Sequence, residues 1–310
     1  MILVTGGAGV IGSRLVHGLV KAGHRVRVLT LPGDPYVSRL ASLECEIVYG
    51  NVADAASLKG VCDGIETVFH LAAVLLSDDP QIFQRVNAEG TRTLVNASIN
   101  AEVRHFVLCS SISVTYPWTT PYNASKREAE RIVRTQTNLH WTIVRPTLAY
   151  NENGGEEYRI FVDFLKRWPV GVFVGRGRAR KNPVHVDDLM RGFLAIPGNS
   201  KSFGKIYPFC GGAPITLWEM GRLALEREGI TKPFLPMPIW LCRLAAAVMG
   251  VTMRRAPFTA HIIAGLTQDA LPDWSEARAD LGYLPVGFHE GLARLPEVGR
   301  LRFGAAIGLE

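Results

Sequence analysis

Apolar residues along the first half of the chain follow two alternating rhythms. Short, nearly continuous apolar runs are separated by longer stretches in which apolar positions recur three and four residues apart. The run "ILVTG" predicts a strand, and "GSRLVHGLVKAG" then places Leu15, Leu19 and Val20 on one helical face before stopping at Gly23. "RVRVLTL" and "EIVYG" predict the second and third strands, "AASLKGVCDG" a helix, and "TVFHLAA" a fourth strand. "FQRVNAEGTRTLVNASINA" predicts one long amphipathic helix, "HFVLCSS" a fifth strand, "SKREAERIVRTQ" another helix and "WTIVRPT" a sixth strand. Strand and helix in strict alternation predict an α/β fold, a doubly wound parallel sheet with helices on both faces and right-handed crossovers.

After Thr147 the rhythm breaks. Gly and Pro become dense through "NENGGEEY", "GRGRARKNP" and "PGNSKSFGK". The expected organisation is a doubly wound domain over residues 1–148, with "VHVDDLMRGFLAI" inside a return element at 183–197. A smaller, mainly substrate-binding C-terminal lobe would occupy 149–310. The most apolar later stretch, "IWLCRLAAAVMGV" at 239–251, is too short to span a bilayer and contains Arg243. It predicts a buried or interfacial helix, and Arg254 and Arg255 just beyond it leave membrane-surface contact open.

Composition narrows the class. Of 310 residues, 47% are hydrophobic and 20% charged, which suits a folded globular chain and excludes disorder. The net charge of +6 is scattered, so no nucleic-acid footprint is expected, while a mild positive excess suits phosphorylated small molecules. Cys45, Cys62, Cys109, Cys210 and Cys242 form no C-x-x-C pair, which predicts a reducing, cytoplasmic setting without a disulfide framework. A strand pattern beginning at residue 2 leaves no room for a signal peptide. The eight histidines show no ligand spacing, so no metal site is expected.

Two motifs carry candidate chemistry. In "VTGGAGVIG", Gly6, Gly9 and Gly12 lie between a strand and a helix, where glycine permits a tight turn and close approach to a pyrophosphate at the helix N-terminus. The spacing is G-x-x-G-x-x-G, so the placement after the first strand carries more weight than the glycines alone. In "PYNASKREAE", Tyr122 and Lys126 share one helical face, with Ser110 and Ser111 just upstream. An isolated tyrosine, with a pKa near ~10, is a poor base at neutral pH, but a neighbouring ammonium favours its phenolate. Taken alone, the pair also fits a solvated helix, and the two serines a helix entry.

The motifs "TGGAGVIG", "VFHLAA", "CSSISV", "YNASK", "VRPT" and "NPVHVDDL" stand in an order that resembles the extended short-chain dehydrogenases/reductases, the NAD(P)-dependent epimerase/dehydratase group. "TQDALPDWSEARADLGYLP" is similar to that group's ending, so the likeness runs over nearly the whole chain. The resemblance implies an NAD(P)-binding Rossmann domain at 1–148 and hydride transfer at an alcohol or ketone carbon, with Ser111, Tyr122 and Lys126 as the catalytic trio. Lys126 would also hold the nicotinamide ribose. Cofactor contacts would come from Gly6, Gly9, Val10, Ile11 and Gly12, from Asn51 and Val52, and from Leu71, Ala72 and Ala73. Asn87, Tyr122, Lys126 and Pro146 would complete them. Asn51 stands where the family usually carries Asp beside the adenine; it can accept from the exocyclic amine or serve only as a turn residue. His70 is expected as a packed strand residue. Thr30 and Leu31 occupy the positions that separate NAD from NADP. With no acid there, Asp34 late and Arg39 able to fold back, the choice leans to NADP.

Two departures bear on the substrate. Thr115 and Tyr116 replace the family's usual tyrosine and glycine, and the segment from Ser111 to Tyr122 is short. No Asp-Glu pair follows the serine, which disfavours dehydratase-type elimination. Arg176, Arg178, Arg180 and Lys181 form a basic loop able to clamp a diphosphate or simply to face solvent. The favoured expectation is therefore a nucleotide-sugar epimerase or dehydrogenase. The alternative is a carbonyl/alcohol reductase of the hydroxysteroid dehydrogenase or dihydroflavonol reductase type, acting on a small apolar substrate. A regulatory subunit with vestigial chemistry conflicts with the intact trio. The family's habit of pairing through helices such as 84–99 and 125–135 implies a homodimer.

Overall fold

In the computed structural model, which describes residues 1–151, 156–252 and 260–295, one wholly parallel sheet dominates the N-terminal half. It is built from β1 (Ile2–Thr5), β2 (Val26–Thr30), β3 (Cys45–Tyr49), β4 (Thr67–His70), β5 (His105–Cys109), β6 (His140–Pro146) and the strand Lys205–Phe209. Their order across the sheet is Lys205–Phe209, β6, β5, β4, β1, β2, β3. All four residues of β1 and of β4 are buried, in keeping with their apolar stretches Ile2–Val4 and Val68–Phe69: both faces of a doubly wound sheet are covered. Leu3, Val68, Phe106, Leu108, Val133 and Ile143 lie in its core, each such burial contributing about 1.5–3 kcal/mol. The chain direction across the sheet reverses between β1 and β4, the crevice where ligands of open α/β sheets bind.

Helices α1 (Val10–Lys21), α2 (Pro80–Phe83), α3 (Gly90–Asn100) and α4 (Pro121–Arg134) cover this sheet together with the helix Val186–Leu194. α1 buries Gly12, Leu15, Val16 and Leu19 and ends where Gly23 adopts a φ of 85°, a conformation glycine takes freely. Two segments differ from the sequence expectation. The helix expected in "AASLKGVCDG" is only a short 3-10 turn, Ala55–Leu58. Gly60 and Gly64 hold positive φ values of 76° and 70°, and the Arg27 guanidinium donates to the Val61 and Asp63 carbonyls, each at 2.9 Å. The carbonyls that a helix would satisfy are thus satisfied by a side chain.

The second difference lies in the long amphipathic helix. It is interrupted by a π-helical turn, Gln84–Glu89, between α2 and α3. Such turns are rare and occur frequently at functional sites. Asn87 lies buried within this one. Gly90 just beyond lets the chain lie against Val52, where a Cβ would approach within 2.8 Å.

The chain divides into two compact units. The first comprises Met1–Thr147, Val186–Cys210 and Pro272–Pro285, and the second Leu148–His185, Gly211–Leu271 and Val286–Glu310. Within the second unit, short strand pairs join Ala149–Tyr150 to Val184–His185, Arg180–Lys181 to Ile215–Thr216, and Gly171–Val174 to Phe234–Met237. The helices Glu156–Lys166, Leu217–Arg227, Ile239–Thr252 and Ala260–Thr267 surround them. Tyr150, Tyr158, Phe173 and Phe288 form its aromatic core. Arg254 and Arg255 lie outside the described residues. Among the described residues, no helix is long and apolar enough to cross a membrane.

Candidate active site

The glycine loop sits at the sheet's switch point, and its three glycines have different causes. Gly6 has a φ of 68°, and a Cβ there would come within 2.8 Å of the Ala72 nitrogen. A Cβ on Gly12 would collide with the Gly6 carbonyl. Both are required by backbone meeting backbone. Gly9 is different: a Cβ there would meet only the Gly6 oxygen, at 3.2 Å, so its other side is open. Gly9 is also the N-cap of α1 and supplies no capping side chain, while the first turn carries no acid. The N–H groups of Val10, Ile11 and Gly12 therefore lack intrahelical acceptors and lie at the positive end of the helix dipole. These features fit the pyrophosphate of a dinucleotide.

Around that loop the other expected cofactor residues are placed as follows. Leu71, Ala72 and Ala73 are half-buried at the exit of β4, and Ala72 donates its N–H to Thr5 Oγ1 at 3.2 Å. Val52 is buried, whereas Asn51 is exposed and uses Oδ1 to close a turn on the Ala53 N–H at 2.9 Å. One lone pair of that oxygen stays available to an adenine amine. Pro146 is buried at the end of β6. At the end of β2, Thr30 Oγ1 donates to Asp34 Oδ2 at 2.7 Å. Arg39 does fold back: its Nη1 donates to the Ala8 carbonyl of the glycine loop at 3.1 Å, and its guanidinium lies 4.2 Å over the Tyr36 ring.

A chain of buried polar contacts runs from β1 to the helix that carries the tyrosine. His70 is almost fully buried, with Nδ1 2.7 Å from Thr5 Oγ1 and Nε2 3.0 Å from Thr91 Oγ1. Thr91 gives its own proton to the Asn87 carbonyl at 2.6 Å, so His70 Nε2 carries the hydrogen and Nδ1 accepts from Thr5. Burial, reinforced by the charge of Lys126, lowers the His70 pKa to about 3. The imidazole is therefore a neutral strut. Asn87 continues the chain, accepting the Val74 N–H at 2.8 Å and donating to the Val74 carbonyl at 3.0 Å and to Ser125 Oγ at 3.1 Å. Ser125 in turn donates to the Tyr122 carbonyl at 2.7 Å.

α4 begins with a reciprocal cap. Thr120 Oγ1 accepts the Asn123 N–H at 3.1 Å, and Asn123 Oδ1 accepts the Thr120 N–H at 2.8 Å. The Asn123 amide also donates to the carbonyls of Trp118, at 3.0 Å, and Ser113, at 3.3 Å. Arg127 donates to the Val114 carbonyl at 2.7 Å, to Thr119 Oγ1 at 3.2 Å and to the Tyr116 carbonyl. Asn123 and Arg127 thus clamp the short segment between Ser111 and Tyr122 onto the helix. Neither residue was singled out in the sequence, and the only local signal was the T-x-x-N spacing of the cap. Ser111 Oγ lies 3.0 Å from Ser113 Oγ and accepts the Ser113 N–H at 3.2 Å. Tyr122 is half-buried, its ring edge-to-face with Phe83 at 6.2 Å.

Lys126 is buried one turn further along, and its Nζ donates to the Cys109 carbonyl at 2.7 Å. Burial lowers its pKa, while Cys109 and Glu130 act in the opposite direction. Glu130 is itself buried and accepts from Ser110 Oγ at 2.6 Å and from Arg145 at 2.9 and 2.6 Å. This Ser110, Glu130 and Arg145 cluster was also not read from the sequence. A cavity of about 440 Å³ lies beside it, bounded by Arg127, Arg131, Arg134 and Arg145. Ser111, Tyr122 and Lys126 do not line that cavity, and Arg127, Arg131 and Arg145 are already engaged by carbonyls or carboxylates. Glu128 pairs with Arg131 and Arg92 on the outer face of the helix.

In the second unit the basic loop is divided. Arg180 pairs with Asp269 at 3.2 Å. Lys181 Nζ donates to the carbonyls of Gly265, at 2.8 Å, and Gln268, and burial lowers its pKa to about 8. Arg176 and Arg178 are exposed.

A doubly wound parallel sheet whose first strand passes through a glycine loop into a helix is the architecture of a dinucleotide-binding α/β enzyme. The chain belongs to the NAD dependent epimerase/dehydratase family, whose model matches residues 2–207. It is 29% identical over 327 residues to the 3 beta-hydroxysteroid dehydrogenase/Delta 5→4-isomerase of Mycobacterium tuberculosis, covering 92% of this chain and 86% of the relative. It is 30% identical over 279 residues to the ceramide reductase of Caulobacter vibrioides, covering 89% and 78% respectively. Among solved structures it is similar in fold to a double mutant of DesIV, the dTDP-glucose 4,6-dehydratase of Streptomyces venezuelae, determined with NAD bound. That likeness has a TM-score of 0.73 at 24% identity and covers 95% of both chains.

Proposed function

We propose that this enzyme is an NAD(P)-dependent oxidoreductase that interconverts a secondary alcohol and a ketone on an apolar substrate. The observation that carries the choice of substrate is the commitment of Arg180 and Lys181 to Asp269 and to backbone carbonyls of their own unit. The sequence favoured a nucleotide sugar because four clustered cations could clamp a diphosphate. Two of the four are now engaged elsewhere. Relatives that act, by name, on a hydroxysteroid and on ceramide support the same reading. Arg176 and Arg178, both exposed, favour a nucleotide sugar, as does a 31% identical relative named as the dTDP-glucose 4,6-dehydratase of Streptomyces griseus.

In this reading Gly6, Gly9 and Gly12 with the first turn of α1 hold the cofactor's pyrophosphate, and Lys126 holds the nicotinamide ribose. The nicotinamide, when bound, supplies or accepts the hydride. Tyr122 exchanges the hydroxyl proton of the substrate, Ser111 hydrogen-bonds the same oxygen, and the Lys126 ammonium favours the tyrosinate. Arg39, held on the glycine loop, supports NADP, because a guanidinium is suited to two-point recognition of a 2′-phosphate.

The test is nicotinamide absorbance with purified enzyme, NAD(H) and NADP(H), against a hydroxysteroid, a long-chain keto-lipid, and UDP- and dTDP-hexoses. Turnover is expected with an apolar alcohol or ketone. Turnover of the nucleotide sugars alone would sink the proposal.

A further inference from the structure

The helix Ile239–Thr252 presents an apolar face to solvent. Trp240, Leu244 and Val248 recur four residues apart and are 67%, 55% and 54% exposed, with Leu241 beside them at 38%. The opposite face, Cys242 and Ala246, is buried against Ile263, Val174 and Met237. The helix is thus anchored by its small residues and displays its large ones, the reverse of a packed core helix.

The helix and the loop beside it carry charge of one sign, and the acid that meets the loop, Asp269, is paired with Arg180. Arg243 is exposed at the flank of the apolar face, and neither the helix nor the loop "GRGRARK" at 175–181 contains an acid. That loop abuts the start of the helix: Gly175 N–H donates to the Met237 carbonyl at 2.7 Å, and a Cβ on Gly175 would touch Ile239 at 3.5 Å. Arg176 and Arg178, both exposed, therefore stand beside the apolar patch. We infer that this patch docks the enzyme on an anionic lipid surface. The apolar side chains would enter the acyl boundary, Trp240 would lie at the headgroup level, and the arginines would face the lipid phosphates.

Charge decides against a second copy of the chain as the occupant. A two-fold contact would bring the same patch from each copy together, adding a second set of Arg176, Arg178 and Arg243 while the helix and loop of neither copy offer an acid to meet them. An anionic membrane offers the opposite sign. The inference builds on the apolar-substrate reading, since a membrane is where such a substrate resides, but it is tested without substrate or cofactor.

The experiment is flotation of the full chain with phosphatidylcholine vesicles and with vesicles of phosphatidylcholine mixed with phosphatidylglycerol. Binding is expected to the mixed vesicles and to weaken with salt. Arg176→Gln/Arg178→Gln/Arg243→Gln should weaken it by roughly tenfold or more, as each basic residue adds to attraction at an anionic surface. Trp240→Glu/Leu244→Glu should abolish it while the melting temperature stays close to wild type. Quenching of tryptophan fluorescence by brominated lipid in the unmutated protein tests insertion directly. Failure to float with the mixed vesicles overturns the inference. So does a wild-type dimer, seen by light scattering, that Trp240→Glu/Leu244→Glu converts to monomer, because a second copy would then cover the face. Flotation without turnover of apolar alcohols would refute the proposed substrate and leave docking standing; turnover without flotation would do the reverse.

Discussion

Replacing Arg145 by leucine will destabilise the protein by about 3–5 kcal/mol, because it strands a carboxylate in the interior. Glu130 is only 4% exposed and has three polar contacts: Ser110 Oγ at 2.6 Å and the two Arg145 nitrogens at 2.9 and 2.6 Å. Without the guanidinium, the charge keeps one neutral hydroxyl donor. The Arg145 side chain is itself 22% exposed, so water reaches the edge of the gap and the lower end of the range applies. At about 2–4 °C per kcal/mol for a body of this size, the melting temperature should fall by about 6–12 °C. Glu130→Leu/Arg145→Leu removes both charges and should recover most of the loss, since an apolar pair of similar volume costs little compared with an unpaired ion.

Urea titrations of the two single variants and the double variant, followed by circular dichroism, complete the cycle. A loss below about 1 kcal/mol for Arg145→Leu, or a double variant no more stable than the sum of the singles, would refute the reasoning. Glu130→Gln separates stability from chemistry. Glu130 is one of two groups that raise the Lys126 pKa against the lowering effect of burial. Neutralising it lets that pKa fall further, so the alkaline limb of the activity profile should move to lower pH. A profile that stays in place would show that Glu130 acts on the fold alone.

Tyr122→Phe should lower kcat by roughly 10²–10⁴ while calorimetric cofactor affinity stays close to wild type, the signature of a lost proton donor; equal loss of both would remove Tyr122 from the trio. Arg39→Ala should weaken NADP by about 1.5–3 kcal/mol and leave NAD nearly unchanged, read by cofactor titration; equal weakening of both would count against a 2′-phosphate contact. His70 has a pKa of about 3 in the fold against 6.5 when unperturbed, so between those values the unfolded chain binds the extra proton. Its contribution is intact above about pH 6.5 and is lost as pH falls toward 3, by up to about 5 kcal/mol. Melts across that window should show a slope that His70→Gln flattens, and an unchanged slope would assign it to other groups.

What the chain pattern revealed and what it hid have a common physical division. The central strands of the first half were legible because burial on both faces favours apolar runs, as in Ile2–Val4 of β1 and Val68–Phe69 of β4, while the edge strand β3 has no fully buried residue. The glycine loop was legible because backbone contacts at Gly6 and Gly12 exclude a Cβ. Apart from the clamp by Asn123 and Arg127, the hidden features depend on side chains that find partners far along the chain. Arg27 satisfies carbonyls 34 and 36 residues away and removes the need for the expected helix there. Asn87 reaches Val74, 13 residues back, while the helical pattern through the π-helical turn stays periodic and gives no local sign of it. Arg180 meets Asp269 across 89 residues, so one cation of a loop that reads as a phosphate clamp is tied to the scaffold. Residue identity could therefore nominate Ser111, Tyr122 and Lys126. It could not reveal that their helix is held to β1 through Thr5, His70, Thr91, Asn87 and Ser125, since each link is an ordinary polar residue until the fold closes. In this protein the candidate reacting groups are local in sequence, and the polar frame around their helix is long-range.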